Sequence, residues 1–277
     1  MTTTAEETVT RVVSRDGTEI AYWTSGDGPA LLLVHGTTAD HTRWRPLLPY
    51  LEPHATVHAM DRRGRGGSGD APEYDLAREF EDVAAVIDAV AAASGSAVDV
   101  LGHSFGGTCA FGAAALTPNI RKLVLYEGWP PPNPDASALF PPGVEERMEA
   151  LLAAGKREAA LETMFREVVR MPEEEFTVYR ALPAWQARIA AAHTITREIR
   201  AELGMPFDAA TAANIVAPTL LLVGGDSPDV IKSDYETVAA ALPDVRTTIL
   251  EGQQHIAIDL IPEAFAKHVI AFLRAAR

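Results

Sequence analysis

The chain has 277 residues, of which 47% are apolar, so it is long enough to bury a sizeable core as one large α/β domain or as a core with an insertion. Its formal net charge of -14 argues against nucleic acid as the main partner, because phosphate binding requires clustered Lys and Arg. The single cysteine, Cys109, excludes an intramolecular disulfide bond.

Short apolar strands and amphipathic helices alternate in the first part of the chain. The strands predicted from apolar runs bounded by turn residues span residues 8–14, 19–23, 30–34 and 56–60. Helices are predicted at 44–51 and at 76–93, where apolar residues recur at helical spacing. The next strand is predicted at 97–101.

The segment Gly102–Gly106 has the pattern G-x-S-x-G, and it lies between that strand and a helix-forming run at 108–116. On a sharp strand-to-helix turn, a serine hydroxyl projects away from the backbone and can meet both a base and a substrate. The crowded turn requires small neighbours, which the glycines supply. We interpret Ser104 as a nucleophile, because the flanking strand and helix make the pattern far more specific than it is alone.

The alternation stops after a strand predicted at 122–126. A proline-rich segment begins at Gly128, and residues 144–213 are predicted as several helices without a strand. Strands resume at 219–223, and the alternation as a whole predicts a mostly parallel sheet covered on both faces. The helical block is therefore predicted as a cap inserted over one edge. The predicted division is a core at 1–128, a cap at 129–215 and a second part of the core at 216–277.

A serine hydroxyl is a poor nucleophile at neutral pH, so it needs a base, and the base needs an orienting acid. His255 follows a strand predicted at 246–251, and a final helix is predicted at 262–275. The loop that carries His255 leaves the sheet at the edge where Ser104 emerges. We therefore predict that His255 is the base.

The charge that develops on a carbonyl oxygen needs two N–H donors in a dry site. Phe105, the residue after the nucleophile, is predicted to supply one of them. The loop after the strand at 30–34 is predicted to supply the other from Thr37, since Gly36 allows the backbone to turn tightly there.

With these pieces in place, the chain resembles an α/β-hydrolase along nearly its whole length. The features that carry the resemblance are His35-Gly36, the glycine-rich turn at 61–68, the elbow at Gly102–Gly106 and the late His255. The resemblance implies an α/β-hydrolase fold, with a mostly parallel eight-stranded sheet, helices on both faces and an inserted helical cap. It does not identify a substrate, because this fold hosts many chemistries.

The position of the acid departs from the pattern that is commonest in this family. Many members place it shortly after the strand predicted here at 219–223, where the form G-x-x-D would put it at Ser227, and serine cannot act as the acid. Asp226 lies one residue earlier. Some relatives place the acid at the end of the preceding core strand, which here ends in Glu127. We favour Glu127 and keep Asp226 as the alternative.

The resemblance also implies that the cap builds the substrate pocket. Its predicted residues are Gly36, Thr38, Trp129 and Trp185. An apolar pocket favours a small hydrophobic ester or lactone as the partner. The leading prediction is a serine hydrolase that cleaves this substrate through an acyl-enzyme on Ser104 and uses no cofactor.

Other chemistry on the same fold remains open: a C–C bond hydrolase, an amidase or peptidase, or a perhydrolase. A non-catalytic ligand receptor is a different class, and the presence of serine, histidine and a candidate acid together argues against it. We expect a monomer or homodimer in the cytoplasm without a membrane partner, since no apolar run is long enough for a membrane span and the N-terminus lacks a signal-peptide pattern.

Neither a dinucleotide site nor a metal site is predicted. Residues 64–69 match G-x-G-x-x-G, but Asp70-Ala71-Pro72 follows them where a dinucleotide site would open a helix. The histidines lack metal-binding spacing and there is no cysteine pair, so no metal is predicted.

Overall fold

The computed structural model describes residues 8–132 and 140–276, and its centre is an eight-stranded sheet. The strands are β1 (Thr8–Val13), β2 (Glu19–Gly26), β3 (Ala30–Val34), β4 (Thr56–Met60), β5 (Val98–His103), β6 (Ile120–Tyr126), β7 (Thr219–Gly224) and β8 (Val245–Leu250). Their order is β1-β2-β4-β3-β5-β6-β7-β8. Only the pairings of β2 with β1 and β4 are antiparallel among the described strands, so the prediction of a mostly parallel eight-stranded sheet is confirmed.

The central strands are buried on both faces because they consist almost entirely of aliphatic residues. In β3, Leu32 and Val34 contribute to the hydrophobic cluster on one face, and Leu31 and Leu33 contribute to the cluster on the other face. This alternation follows from the two-residue repeat of a strand. Helices therefore cover both sides of the sheet.

The core helices are α1 (Leu48–Leu51), α2 (Leu76–Ser94), α3 (Phe105–Ala113), α10 (Asp229–Ala241), α11 (Ala257–Leu260) and α12 (Pro262–Arg274). Helices α2, α3 and α10 bury their apolar faces on one side of the sheet, and α1 and α12 on the other. The helix predicted at 44–51 is instead a 3₁₀ turn at His41–Trp44 followed by the short α1. Pro46 and Pro49 lack the N–H donors that a continuous helix would need there.

The described part of the segment between β6 and β7 contains helices joined by short turns and loops, and no strand. It contains α4 (Val144–Ala153), α5 (Arg157–Thr163), a π-helical turn (Met164–Val168), α6 (Glu173–Arg180), α7 (Trp185–Ala191), α8 (Ile195–Leu203) and α9 (Ala209–Ala213). These helices share a third hydrophobic cluster, which includes Ile256 next to His255. Ala212 and Ile215 pack instead into a core cluster. The division into core and cap at 129 and 215 stays a prediction.

The N-terminal residues that argued against a signal peptide lie outside the described residues, as does the end of the proline-rich segment. None of the helices in the described ranges combines the length and the apolar character that a membrane span requires.

Candidate active site

The strand β5 runs into Ser104, and α3 begins at the next residue. Ser104 has φ 56° and ψ -137°, a backbone conformation that side chains rarely adopt. The turn is tightly packed: a Cβ atom on Gly106 would lie 2.3 Å from the carbonyl oxygen of Val34, and one on Gly128 would lie 1.9 Å from that of Ser104. The glycines are therefore required by the turn, as expected for an exposed serine on an elbow.

The imidazole of His255 is held by a carboxylate from the end of β6. Glu127 Oε2 lies 2.8 Å from His255 Nδ1. Its other oxygen, Oε1, accepts hydrogen bonds from the backbone N–H of Gly224 at 2.8 Å and from the hydroxyl of Ser227. Glu127 is only 8% exposed, so both oxygens are used inside the protein.

Asp226, the alternative acid, lies elsewhere. Its side chain is exposed, and its backbone N–H donates to the carbonyl oxygen of Gln253 at 3.0 Å. Ser227 occupies the place that the commonest pattern gives to the acid, and its hydroxyl supports Glu127. The structure thus brings Glu127, and not Asp226, to His255.

Further contacts fix the loop that carries His255. His103 Nε2 donates to the carbonyl oxygen of His255 at 3.0 Å, and burial lowers the pKa of His103, which keeps it neutral. The hydroxyl of Tyr126 donates to the carbonyl oxygen of Gln254 and accepts from the backbone N–H of Ala257. Tyr126 could not be identified from the sequence, since a tyrosine at the end of a buried strand is not distinctive.

The predicted oxyanion donors lie beside the serine. Thr37 and Phe105 line the same cavity as Ser104 and His255. Phe105 is the first residue of α3, so its N–H has no acceptor within the helix. A Cβ atom on Gly36 would lie 3.2 Å from Ser104 Oγ, which shows how closely this loop passes over the nucleophile.

The cavity at Ser104 has a volume of about 150 Å³. Trp129 lines it together with apolar residues from the helices between β6 and β7. Trp185 lies away from it in the third hydrophobic cluster, where its indole N–H donates to Glu158 Oε1 at 3.0 Å. Thr38 is also fully buried outside the cavity lining, because its hydroxyl turns back to the carbonyl oxygen of Thr37.

Charged groups that the sequence analysis missed also line this cavity. Glu202 of α8 accepts a hydrogen bond from the hydroxyl of Thr108 at 2.9 Å, and burial raises its pKa to about 7. Burial raises the pKa of Asp234, on α10, to about 6. Arg170 contributes a cation. Neither carboxyl stood out in the sequence, because what distinguishes them is burial at a tertiary contact.

Two helices of the segment between β6 and β7 contact the loop that carries Thr37. Arg188 of α7 places Nη1 3.5 Å from the carbonyl oxygen of Thr37 and 3.3 Å from Thr38 Oγ1. Glu198 of α8 is fully buried and pairs with Arg62 at 3.1 Å and with Arg65. Burial alone would raise the pKa of Glu198, but the two arginines hold it at about 2, and the Thr37 hydroxyl adds to the lowering.

The glycine-rich turn is built around buried ion pairs. Arg62 donates to both oxygens of Glu79, at 3.0 Å and 2.6 Å, and Arg63 donates to both oxygens of Asp82. These bidentate pairs are strong and directional. The side chains of Arg62 and Arg63 therefore stabilise the fold.

Asp40, His41 and Asp61 place one potential metal-ligand atom each within 4.8 Å of one another. Their donors already have protein partners. His41 Nδ1 lies 2.9 Å from Asp61 Oδ1, Asp61 Oδ2 accepts from the N–H of Gly67, and Asp40 accepts from Thr42. The three residues therefore connect neighbouring loops through hydrogen bonds.

Comparison with known proteins identifies a family to which this chain is similar. A model described as "Alpha/beta hydrolase family" matches residues 31–268. A protein named 2-(acetamidomethylene)succinate hydrolase, from Mesorhizobium japonicum, is 27% identical over 267 residues, which cover 90% of each chain. A pimeloyl-[acyl-carrier protein] methyl ester esterase from Xylella fastidiosa is 38% identical over 106 residues, 38% of this chain and 39% of that protein. The crystal structure of an alpha/beta hydrolase from Sphaerobacter thermophilus superposes with a TM-score of 0.81 at 37% identity, covering 95% of this chain and 100% of that one.

Proposed function

The chain belongs to the alpha/beta hydrolase family, and from that premise we propose that it is a serine hydrolase that cleaves a carboxylic ester or lactone through an acyl-enzyme on Ser104. The observation that carries the proposal is the hydrogen bond of 2.8 Å between His255 Nδ1 and Glu127 Oε2, beside the cavity into which Ser104 opens. A base held in this way has its other nitrogen, Nε2, free to accept a proton.

In the first half of the reaction, Ser104 Oγ attacks the carbonyl carbon and passes its proton to His255 Nε2. Glu127 stabilises the imidazolium that forms and keeps the ring oriented. The N–H groups of Phe105 and Thr37 hold the negative oxygen of the tetrahedral intermediate. The bond to the leaving oxygen then breaks, and that oxygen takes the proton from His255.

In the second half, a water molecule attacks the acyl-enzyme and gives a proton to His255. The second tetrahedral intermediate collapses, the bond between the acyl group and Ser104 Oγ breaks, and the proton returns from His255 to the serine. The net reaction consumes one water and releases an acid and an alcohol, or a hydroxy acid from a lactone.

The surroundings of the site support this chemistry. Most of the residues that line the cavity are apolar, which suits a carbonyl group that must be desolvated. A relative named as a methyl ester esterase supports ester cleavage. We include in the proposal that residues 129–215 act as the cap, while a cytoplasmic location and a monomeric or homodimeric state stay predictions.

Labelling by an organophosphate, followed by mass spectrometry, tests the proposal directly. We expect one adduct on Ser104 in the wild type and hydrolysis of short-chain nitrophenyl esters. Ser104→Ala is expected to lose both, while Ser96→Ala, at an exposed serine, is expected to keep both. A ligand receptor would give no adduct, and full activity in Ser104→Ala would overturn the role of the nucleophile.

A further inference from the structure

Asp234 lies on α10, one helical turn after Val230 and Ile231, and all three residues line the cavity that contains Ser104. Asp234 is only 4% exposed. Its carboxylate therefore lies in the interior, at the wall of a space that a substrate would enter.

The carboxylate of Asp234 has no hydrogen-bond donor among the residues that the structure describes. Glu127, which lines the same cavity, has donors on both oxygens. Burial raises the pKa of Asp234 to about 6, with no lowering from a nearby cation. Above that pH the ionised carboxylate faces the cavity without a donor from the described residues, so a ligand in the cavity could supply one.

The rest of the cavity favours a cationic partner over an anionic one. Glu202, from cap helix α8, is a second carboxyl on its lining. Arg170 also lines the cavity, but it is not among the groups that lower the pKa of Asp234 or Glu202. Most of the remaining lining is apolar, from residues such as Trp129 and Ile199.

We propose that Asp234 binds a protonated amino group of the substrate, so that the ester or lactone cleaved at Ser104 is one that carries an amine. This inference rests on the proposed ester hydrolase function and assigns a substrate class to the same cavity. An ammonium group offers three donors and a full charge to the unpaired carboxylate. A carboxylate at the same place in a substrate would be repelled.

The test uses nitrophenyl esters of three matched acids in several chain lengths: an ω-amino acid, the fatty acid with a methyl group in place of the ammonium, and the dicarboxylic acid. At mildly alkaline pH, we expect kcat/KM of the wild type to be highest for the amino ester at one chain length. Asp234→Asn is expected to lower that value about ten- to hundredfold, the range of a hydrogen bond to a charged group. The neutral ester is expected to change little.

The control is Glu236→Gln, which removes a carboxylate from an exposed position on the same helix. It is expected to leave all three substrates unaffected. Equal rates for the three esters in the wild type, or a preference for the dicarboxylic ester, would overturn the assignment of Asp234. So would an equal loss on all esters in Asp234→Asn.

A binding measurement separates this inference from the proposed reaction. Calorimetry with alkylamines and with carboxylates of equal length is carried out on Ser104→Ala, which cannot turn over. We expect only the amine to bind, and to lose its affinity when Asp234→Asn is added. Equal binding of amine and carboxylate contradicts the role of Asp234, whereas absence of ester hydrolysis and of Ser104 labelling contradicts the proposed function alone. If Asp234→Asn does not fold, inhibition of the wild type by the two ligands decides the question.

Discussion

Glu127 reaches His255 from the end of β6, and its backbone has a positive φ of 43° there. The N–H of Gly224 and the hydroxyl of Ser227 both donate to its carboxylate. The carboxylate thus comes from the end of β6, and the segment after β7 contributes a hydroxyl that supports it.

Substitution of the two candidate acids separates their roles. Glu127→Gln keeps the size of the side chain but loses the charge that stabilises the imidazolium, so we expect kcat to fall by up to about 10⁴-fold. Asp226→Asn is expected to retain turnover near the wild-type value, since its side chain is exposed. Steady-state kinetics on a nitrophenyl ester measure both, and the reverse pattern would return the role to Asp226.

Sequence alone could rank these acids but not choose between them. Both Glu127 and Asp226 follow a predicted strand, and the decision depends on which strand end faces His255 across the sheet. Asp234 could not be singled out from the sequence either. It is distinguished by its burial and by the lack of a hydrogen-bond donor among the described residues, and both depend on the fold. Ser104, by contrast, was predictable because its local pattern specifies a turn with few alternatives.

At the scale of elements, α8 connects the third hydrophobic cluster with the core beside the loop that carries Thr37. Its apolar residues Ile195 and Ile199 belong to that cluster, while Glu198 and Glu202, four residues apart, share another face of the helix. Glu198 pairs with Arg62 and Arg65. One helix thus packs in the cap and contributes charge next to Thr37.

Glu198→Gln is expected to disturb the position of the Thr37 N–H and to lower kcat about tenfold, with a smaller change in KM. The reason is that an oxyanion donor acts mainly in the transition state. The free energy of unfolding should also fall by about 3–5 kcal/mol, since two buried arginines lose a counter-charge. Affinity for a boronic acid analogue of the tetrahedral intermediate provides a readout that stability alone would not change.

Glu146→Gln, at an exposed cap position, is the matched control and should alter neither kcat nor stability. If Glu198→Gln raises KM while kcat and the affinity for the boronic acid stay constant, the residue only supports the fold.

The elements of the core were largely predictable, since aliphatic runs and helical periodicity mark their ends. The sheet order and the cap arrangement were not, because they depend on contacts between distant segments. The helix predicted at 44–51 is interrupted at its prolines. The π-helical turn at Met164–Val168 could not be predicted, because it does not alter the spacing of the apolar residues. That turn lies on the cavity, where such irregular helices are often found.

At the scale of the whole molecule, the net charge of -14 is combined with buried carboxyls whose pKa values are raised by burial. These are Asp82, Asp99 and Asp234, each at about 6, and Glu202 at about 7. Each binds its proton more tightly in the folded state than in the unfolded chain. Between the unfolded and folded pKa values, the folded state therefore holds more protons, and stability falls as pH rises through that window.

We therefore expect stability to fall more, or rise less, between about pH 5 and about pH 8 in the wild type than in Glu202→Gln. The comparison of the two proteins cancels the opposite contribution of His35, His58 and His103, whose pKa values are lowered by burial. Gln keeps the hydrogen-bonding capacity of the side chain but does not titrate, whereas Glu202 has a pKa of 4.5 in the unfolded chain and about 7 in the folded protein. The free energy of unfolding of the variant should therefore exceed that of the wild type by about 1–3 kcal/mol at the higher pH and by little at the lower one. Urea denaturation at both pH values measures the difference, with Glu236→Gln as the exposed control. An equal dependence on pH in the wild type and in Glu202→Gln would show that the folded protein holds Glu202 ionised, and that the cavity beside Ser104 then presents two negative charges to its substrate.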